Sequence, residues 1–218
     1  MRVRISRSGP VAAAVIALTA GAASAAQGAT LSTGKACYAV GQSVTLSGSG
    51  FADASSYVVT VDGIYFGEST TSSSGTFATP LRPGGLGANV AQSVDQLEAT
   101  DGNAIADTSF TVTRPAGARF LASSGSPGSL RAPFEIWGFS LSGARLPIYL
   151  HYVSPAGRVR ETVSLGHTGG QCGYLRTAAR RVFPFTPSVG TWTFQIDTRK
   201  PYSTHPGEAV ARIRVGVA

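Results

Sequence analysis

The feature that most constrains this chain is a succession of short β-type runs cut apart by turn chemistry, with no convincing amphipathic helix among them. The clearest case is residues 57–61, then Asp62-Gly63, then 64–66. Asp-Gly between two β-rich runs suits a type I′ turn, whose two central residues both need positive φ. In 41–51, Val44 and Leu46 alternate with polar residues before the run closes on a glycine-rich bend. Ser73-Ser74-Gly75 punctuates ahead of 76–79. The run 94–100 follows with Val94 and Leu97 as imperfectly alternating apolar positions, then the turn Asp101-Gly102-Asn103 and a closing strand at 108–113. Strands recurring at such short intervals predict a sandwich over 30–113.

Arg114-Pro115-Ala116-Gly117 reads as a linker (114–117), because proline ends the preceding strand and the composition turns from acidic to arginine-rich there. A second β-sandwich is expected over 118–218, with strands at 134–139, 146–153, 159–165, 191–197 and 209–217. Ser154-Pro155-Ala156-Gly157 is a hairpin turn between two of them. In the last strand Ala209, Ala211, Ile213, Val215 and Val217 share one face, with Arg212 and Arg214 on the other, the pattern of a half-buried strand. The fold class expected is all-β, with two tandem sandwiches.

The first 25 residues read differently. Arg2, Arg4 and Arg7 precede an apolar run over 11–20, and Ala23-Ser24-Ala25 supplies a small-residue cleavage pattern. Basic, apolar, small is the order of a secretory signal peptide (1–25). The apolar run is too short for the roughly 20 residues that span a bilayer. The mature chain is therefore expected to carry no transmembrane segment and to be secreted, extracellular or envelope-associated. No cysteine directly follows the apolar run, and no sorting motif or apolar tail stands at the other end, so any retention at a surface is expected to be non-covalent.

Two stretches resemble known families. Val40-Gly41-Gln42-Ser43-Val44-Thr45-Leu46-Ser47-Gly48-Ser49-Gly50-Phe51, then Ser74-Gly75-Thr76-Phe77, then Ser109-Phe110-Thr111-Val112-Thr113 resemble a bacterial immunoglobulin-like repeat. That resemblance covers most of the first domain, implies an immunoglobulin-like fold there and says nothing of a ligand; the overall reading is two tandem immunoglobulin-like sandwiches. The second half, through Pro147-Ile148-Tyr149-Leu150-His151-Tyr152-Val153, Gln171-Cys172-Gly173-Tyr174-Leu175, Phe183-Pro184-Phe185 and Gly190-Thr191-Trp192-Thr193-Phe194, is similar to an uncharacterised family of secreted bacterial proteins. It implies no activity and no functional residue.

Cys37 and Cys172 are the only cysteines, one in each half. In an oxidising compartment an even count favours a disulfide. Pairing would close a loop of about 135 residues, worth about 5 kcal/mol of chain entropy. Two buried thiols or an intermolecular link remain as alternatives. His151, His167 and His205 have no partners at metal-ligand spacing, and no nucleophile or paired-carboxylate motif appears, so neither cofactor nor metal nor catalysis is expected. The acids Asp95, Glu98, Asp101 and Asp107 with Asn103 gather near a turn as calcium ligands would, without the spacing of an EF-hand loop, and a solvated turn is the simpler reading. Trp137, Phe139, Tyr149, Tyr152, Phe183, Phe185, Trp192 and Phe194 are expected to fill a core rather than form a carbohydrate platform.

Charge gives the functional lead. Residues 30–113 carry two basic against seven acidic side chains, whereas 114–218 carry thirteen basic against four acidic. Arg158 and Arg160, Arg176, Arg180 and Arg181, and Arg212 and Arg214 are expected to form an outward cationic surface for anionic envelope polymers. No motif for specific nucleic-acid recognition is present. The competing readings are a charge match between the two halves, a structural spacer or subunit of a surface protein assembly, and an unrecognised hydrolase.

Overall fold

The computed structural model describes residues 28–122, 125–205 and 209–218. The signal peptide expected at 1–25 lies outside them. Every element among the described residues is a β-strand, and the strands make two sandwiches in tandem.

The first is built from β1 (Thr30–Thr33), β2 (Cys37–Ala39), β3 (Val44–Ser49), β4 (Ser56–Val61), β5 (Ile64–Thr70), β6 (Phe77–Leu81), β7 (Gln92–Thr100) and β8 (Ile105–Thr113). One sheet runs β1-β3-β6 and the other β2-β8-β7-β4-β5. β2 joins β8 in parallel, so the leading segment crosses from one sheet to the other, and the arrangement is immunoglobulin-like. Alternation decides which face is inside: Val44 and Leu46 of β3 meet Tyr57 and Val59 of β4, Leu97 of β7 and Phe110 of β8 in one core. The Asp62-Gly63 turn has positive φ at both residues, 51° and 76°, as a tight hairpin requires. β7 corrects one expectation. Val94 points outward and is 55% exposed, while Asp95, Leu97 and Ala99 point inward. The inward phase is set by the antiparallel register with β8, which places Leu97 and Ala99 beside Thr108 and Ala106.

The second sandwich holds β9 (Gly117–Phe120), β10 (Arg131–Ala132), β11 (Phe134–Trp137), β12 (Pro147–Val153), β13 (Val159–His167), β14 (Leu175–Arg176), β15 (Arg180–Arg181), β16 (Gly190–Asp197) and β17 (Ala211–Val217). A four-stranded sheet, β13-β12-β16-β17, faces β14-β11-β9 with the short pair β10-β15 beside it. The expected aromatics pack inside: Tyr152, Phe183, Trp192 and Phe194 are buried, and their rings meet mostly edge to face. That is the geometry favoured by ring quadrupoles.

The sandwiches are joined tightly. Cys37 of β2 and Cys172, in the β13–β14 loop, form a disulfide, and both are buried. Arg114 turns back, its Nε and Nη2 donating to the carbonyls of Val90, Leu86 and Gly87. Gly138 sits at φ 71°, where a Cβ would stand 2.6 Å from the Arg114 carbonyl, so only glycine allows the linker to lie so close. Arg119 reaches across to donate to the carbonyl of Asn89, 2.9 Å away.

Candidate anion-binding surface

The seven sequence-selected arginines are spread over the second sandwich rather than gathered at one place. β13 and β17 are opposite edges of the four-stranded sheet, three strand spacings or about 14 Å apart, which separates Arg158 and Arg160 from Arg212 and Arg214. Several of the seven are also engaged within the protein. A bulge in the β12–β13 register turns Arg160 onto the ring of Phe185, 5.8 Å from its centroid. Arg180 is half-buried and donates to the Ser164 carbonyl at 3.1 Å. Arg212 donates to Gln195 Oε1 at 3.0 Å and to the Thr204 carbonyl at 3.2 Å. Arg158, Arg176, Arg181 and Arg214 are exposed.

Register brings a different set together. β10 pairs with β15 so that Arg131 and Arg181 stand directly opposite one another, both exposed. Opposite residues on an antiparallel pair have Cβ atoms about 5 Å apart, and like charges there are mutually destabilising. Arg131 donates to the Ala179 carbonyl, 3.2 Å away. Among the described residues, neither guanidinium has a carboxylate partner. Arg176 lies earlier on the same chain segment, opposite Glu135 of β11. Glu135 is already committed: Arg119 Nε donates to it at 2.6 Å and the Tyr174 hydroxyl at 3.0 Å. Burial, then the bond to Glu135, holds the Tyr174 hydroxyl above the usual phenol range. Register therefore pairs Arg131 with Arg181, and Arg176 is exposed earlier on the same chain segment as Arg181. Arg131 went unrecognised in the sequence because β10 is only two residues long and leaves no alternation to read.

A second constellation escaped sequence reasoning. On the outer side of the four-stranded sheet, His151, Gln195 and Asp197 are 0–1% exposed beside residues 199–203, which follow β16. His151 Nε2 faces Asp197 Oδ1 at 3.2 Å and the Arg199 carbonyl at 3.1 Å. Both are acceptors, so Nε2 carries the proton. Nδ1 lies 2.8 Å from the Thr162 hydroxyl. Gln195 Nε2 donates to Asp197 Oδ2 and to the Ser203 carbonyl, at 2.9 and 2.8 Å. A His–Asp pair suggests acid–base chemistry in an open cleft. Here both groups are sealed and spend their polar atoms on holding the covering segment, the hydrogen-bonded structural role. The signal was available in principle: His151 alternates with buried Leu150 and Tyr152, as Gln195 and Asp197 alternate with Phe194 and Ile196.

The acidic residues of the first sandwich do not converge. Asp101 Oδ1 accepts from the Asn103 and Ala104 amides and Oδ2 from that of Ala52. These backbone bonds lower its pKa. Glu98 and Asp107 face each other on the exposed side of β7 and β8. Among the described residues, no arginine or lysine of the second sandwich pairs with an acid of the first, so the junction does not consume the charge difference.

No family model matches the chain, and no curated protein matches it. Among solved structures it is similar to a Salmonella alpha-2-macroglobulin mutant at 16% identity, covering 87% of this chain and 14% of that one, with a TM-score of 0.29. A red sea bream transglutaminase gives 8% identity, coverage of 87% and 31%, and a TM-score of 0.31. A beta-glucuronidase from glycoside hydrolase family 2 gives 16%, 88% and 20%, and 0.29. The chain spans less than a third of the length of each, and such low scores bear on neither activity nor partner.

Proposed function

We propose that the chain is a non-catalytic, secreted or envelope-associated binding module whose second sandwich contacts anionic surface polymers. The observation that carries this reading is the Arg131–Arg181 pair. Two arginines placed opposite one another by strand register, without a carboxylate partner among the described residues, leave a like-charge pair that a bridging anion would relieve. Guanidinium forks match phosphate and carboxylate oxygens, the groups that phosphorylated envelope polymers present. Arg176 extends the site along the chain, which favours a polymer over a single small ion.

Support for the non-catalytic part is the sealing of the His151–Asp197 pair from solvent. Export is inferred from the basic, apolar, small order of the leader together with the buried disulfide, a bond that persists in oxidising compartments. No helix among the described residues is long and apolar enough to cross a membrane. The resemblance of the second half to an uncharacterised secreted family adds no activity to this reading.

The test is titration with long-chain polyphosphate, followed by fluorescence anisotropy at low salt. Arg131→Gln with Arg181→Gln should weaken binding at least tenfold, whereas Arg145→Gln, an exposed arginine away from this pair, should leave it within twofold. Equal losses in both variants, or no binding by the unaltered protein, would overturn the assignment of the site.

A further inference from the structure

β5 is unlike the other long strands of the first sandwich. It ends the five-stranded sheet, and none of its seven residues is buried. Ile64, Tyr65 and Phe66 are 73%, 61% and 44% exposed, an apolar run on a free strand edge. Edge strands are usually blunted by lysine, proline or a cover, because their unpaired amides and carbonyls template pairing with another chain. β5 has neither lysine nor proline; Glu68 and a bulge at Phe66 are its blunting features, and its pairing with β4 is regular from Gly67 to Thr70. Beside it lies an open groove of about 480 Å³, walled by Ile64, Phe66 and Pro83, with Asp62 and Arg82 also in its lining. At its base is Asp95, 8% exposed, with the Ser93 hydroxyl as its hydrogen-bond donor at 3.1 Å. Two carboxylates, Asp62 and Asp95, against the one guanidinium of Arg82 leave this apolar-walled groove net negative, which suits a side chain with an aliphatic stem and a cationic head, such as arginine.

The second sandwich presents such a strand. β13 ends its own sheet, and Val159 and Arg160 at its start are exposed, as is Arg158 just before it. The Arg158 guanidinium is the one offered to a partner, because that of Arg160 rests on Phe185. We propose that the β5 edge of one copy is the docking site for the Arg158–Arg160 edge of a second copy, joined by strand addition with arginine against the Asp95 groove. Charge complementarity selects this occupant: the first sandwich carries two basic against seven acidic side chains, the second is strongly basic, and among the described residues the acids and bases of the two sandwiches form no ion pair within one chain. The contact joins two different surfaces, so each copy offers one of each and association propagates head to tail. These surfaces are distinct from the Arg131–Arg181 site.

Sedimentation velocity on the full mature chain, over a concentration series at low salt, tests this. The unaltered protein should grow in mass with concentration and return to monomer at high salt. Ile64→Arg with Glu68→Arg disables one edge, and Arg158→Glu with Arg160→Glu disables the other. All four side chains are exposed, and thermal melts confirm that each variant is folded. Each variant alone should stay monomeric, and an equimolar mixture should stop at a 1:1 dimer, because each retains one intact edge. Self-association of the Arg158/Arg160 variant alone would mean that β5 pairs with β5. Monomers in every sample, or a mixture that stays monomeric, would equally overturn the proposal.

Discussion

Replacing both cysteines, Cys37→Ala with Cys172→Ala, removes the disulfide that ties the sandwiches together beyond the chain itself, and its cost follows from chain entropy. The bond joins residues 135 apart in sequence. If both sandwiches unfold together, the cross-link removes about 5 kcal/mol of loop entropy from the unfolded ensemble. If the first unfolds while the second stays folded, Cys172 remains anchored near the linker. The closed loop is then about 80 residues, and the term falls only to about 4.5 kcal/mol. The two cases separate in the melt. Unfolding of roughly 190 residues as one unit carries enough entropy that 5 kcal/mol moves Tm by about 12 °C, whereas for an 85-residue first sandwich alone the shift approaches 25 °C. Differential scanning calorimetry reads both outcomes. One transition lowered by about 12 °C indicates cooperative sandwiches, and two transitions, the first lowered further, indicate independent ones. A single transition displaced by less than 3 °C would refute the reasoning, since it would leave the buried bond with no effect on the unfolded chain.

Three further perturbations test the packing. Tyr152 is fully buried and its hydroxyl has no hydrogen-bond partner among the described residues, so Tyr152→Phe should be neutral or stabilising by about 1 kcal/mol in urea denaturation. His151→Ala strips a donor from Asp197 and an acceptor from the Thr162 hydroxyl under the covering segment and should cost about 3 kcal/mol, with faster amide exchange at 198–205. Asp95 has its pKa raised, chiefly by burial, so the folded state holds its proton more tightly than the unfolded. Its ionisation costs stability as pH rises through the folded value. Asp95→Asn should therefore raise Tm at pH 7, and the gain should vanish near pH 3, where both states are protonated. A gain that is unchanged at pH 3 would contradict this.

Period-2 alternation made the long strands legible: β3, β12, β16 and β17 lie where Val44 and Leu46, the 146–153 run, Trp192 and Phe194, and Ile213 and Val215 put them. Turn chemistry located the Asp62-Gly63 hairpin because it demands a backbone conformation few residues adopt. The phase of β7 was not legible, since Val94 is apolar yet faces solvent, and only the register with β8 settles it. Strands of two residues, such as β10 and β15, carry no period at all. Their pairing is made by the long-range packing of Ala132 and Val182 into the core. The pairing of Arg131 with Arg181 was not legible for that reason. Nor does a count of arginines show that Arg160, Arg180 and Arg212 are engaged within the protein. The disulfide followed from cysteine count and compartment, whereas the sealed His151–Asp197 pair needed the strand order.

The central claim is a cationic binding surface at Arg131, Arg176 and Arg181. It is tested most directly by measuring the affinity of the purified mature protein for isolated cell envelopes across a salt series, beside the Arg131→Gln/Arg181→Gln variant. For the unaltered protein, log K should fall linearly with log salt, because each phosphate neutralised releases a counterion. The slope should flatten by about two charges in the variant, with weaker binding at every salt. Identical slopes and affinities for the two proteins would contradict the account.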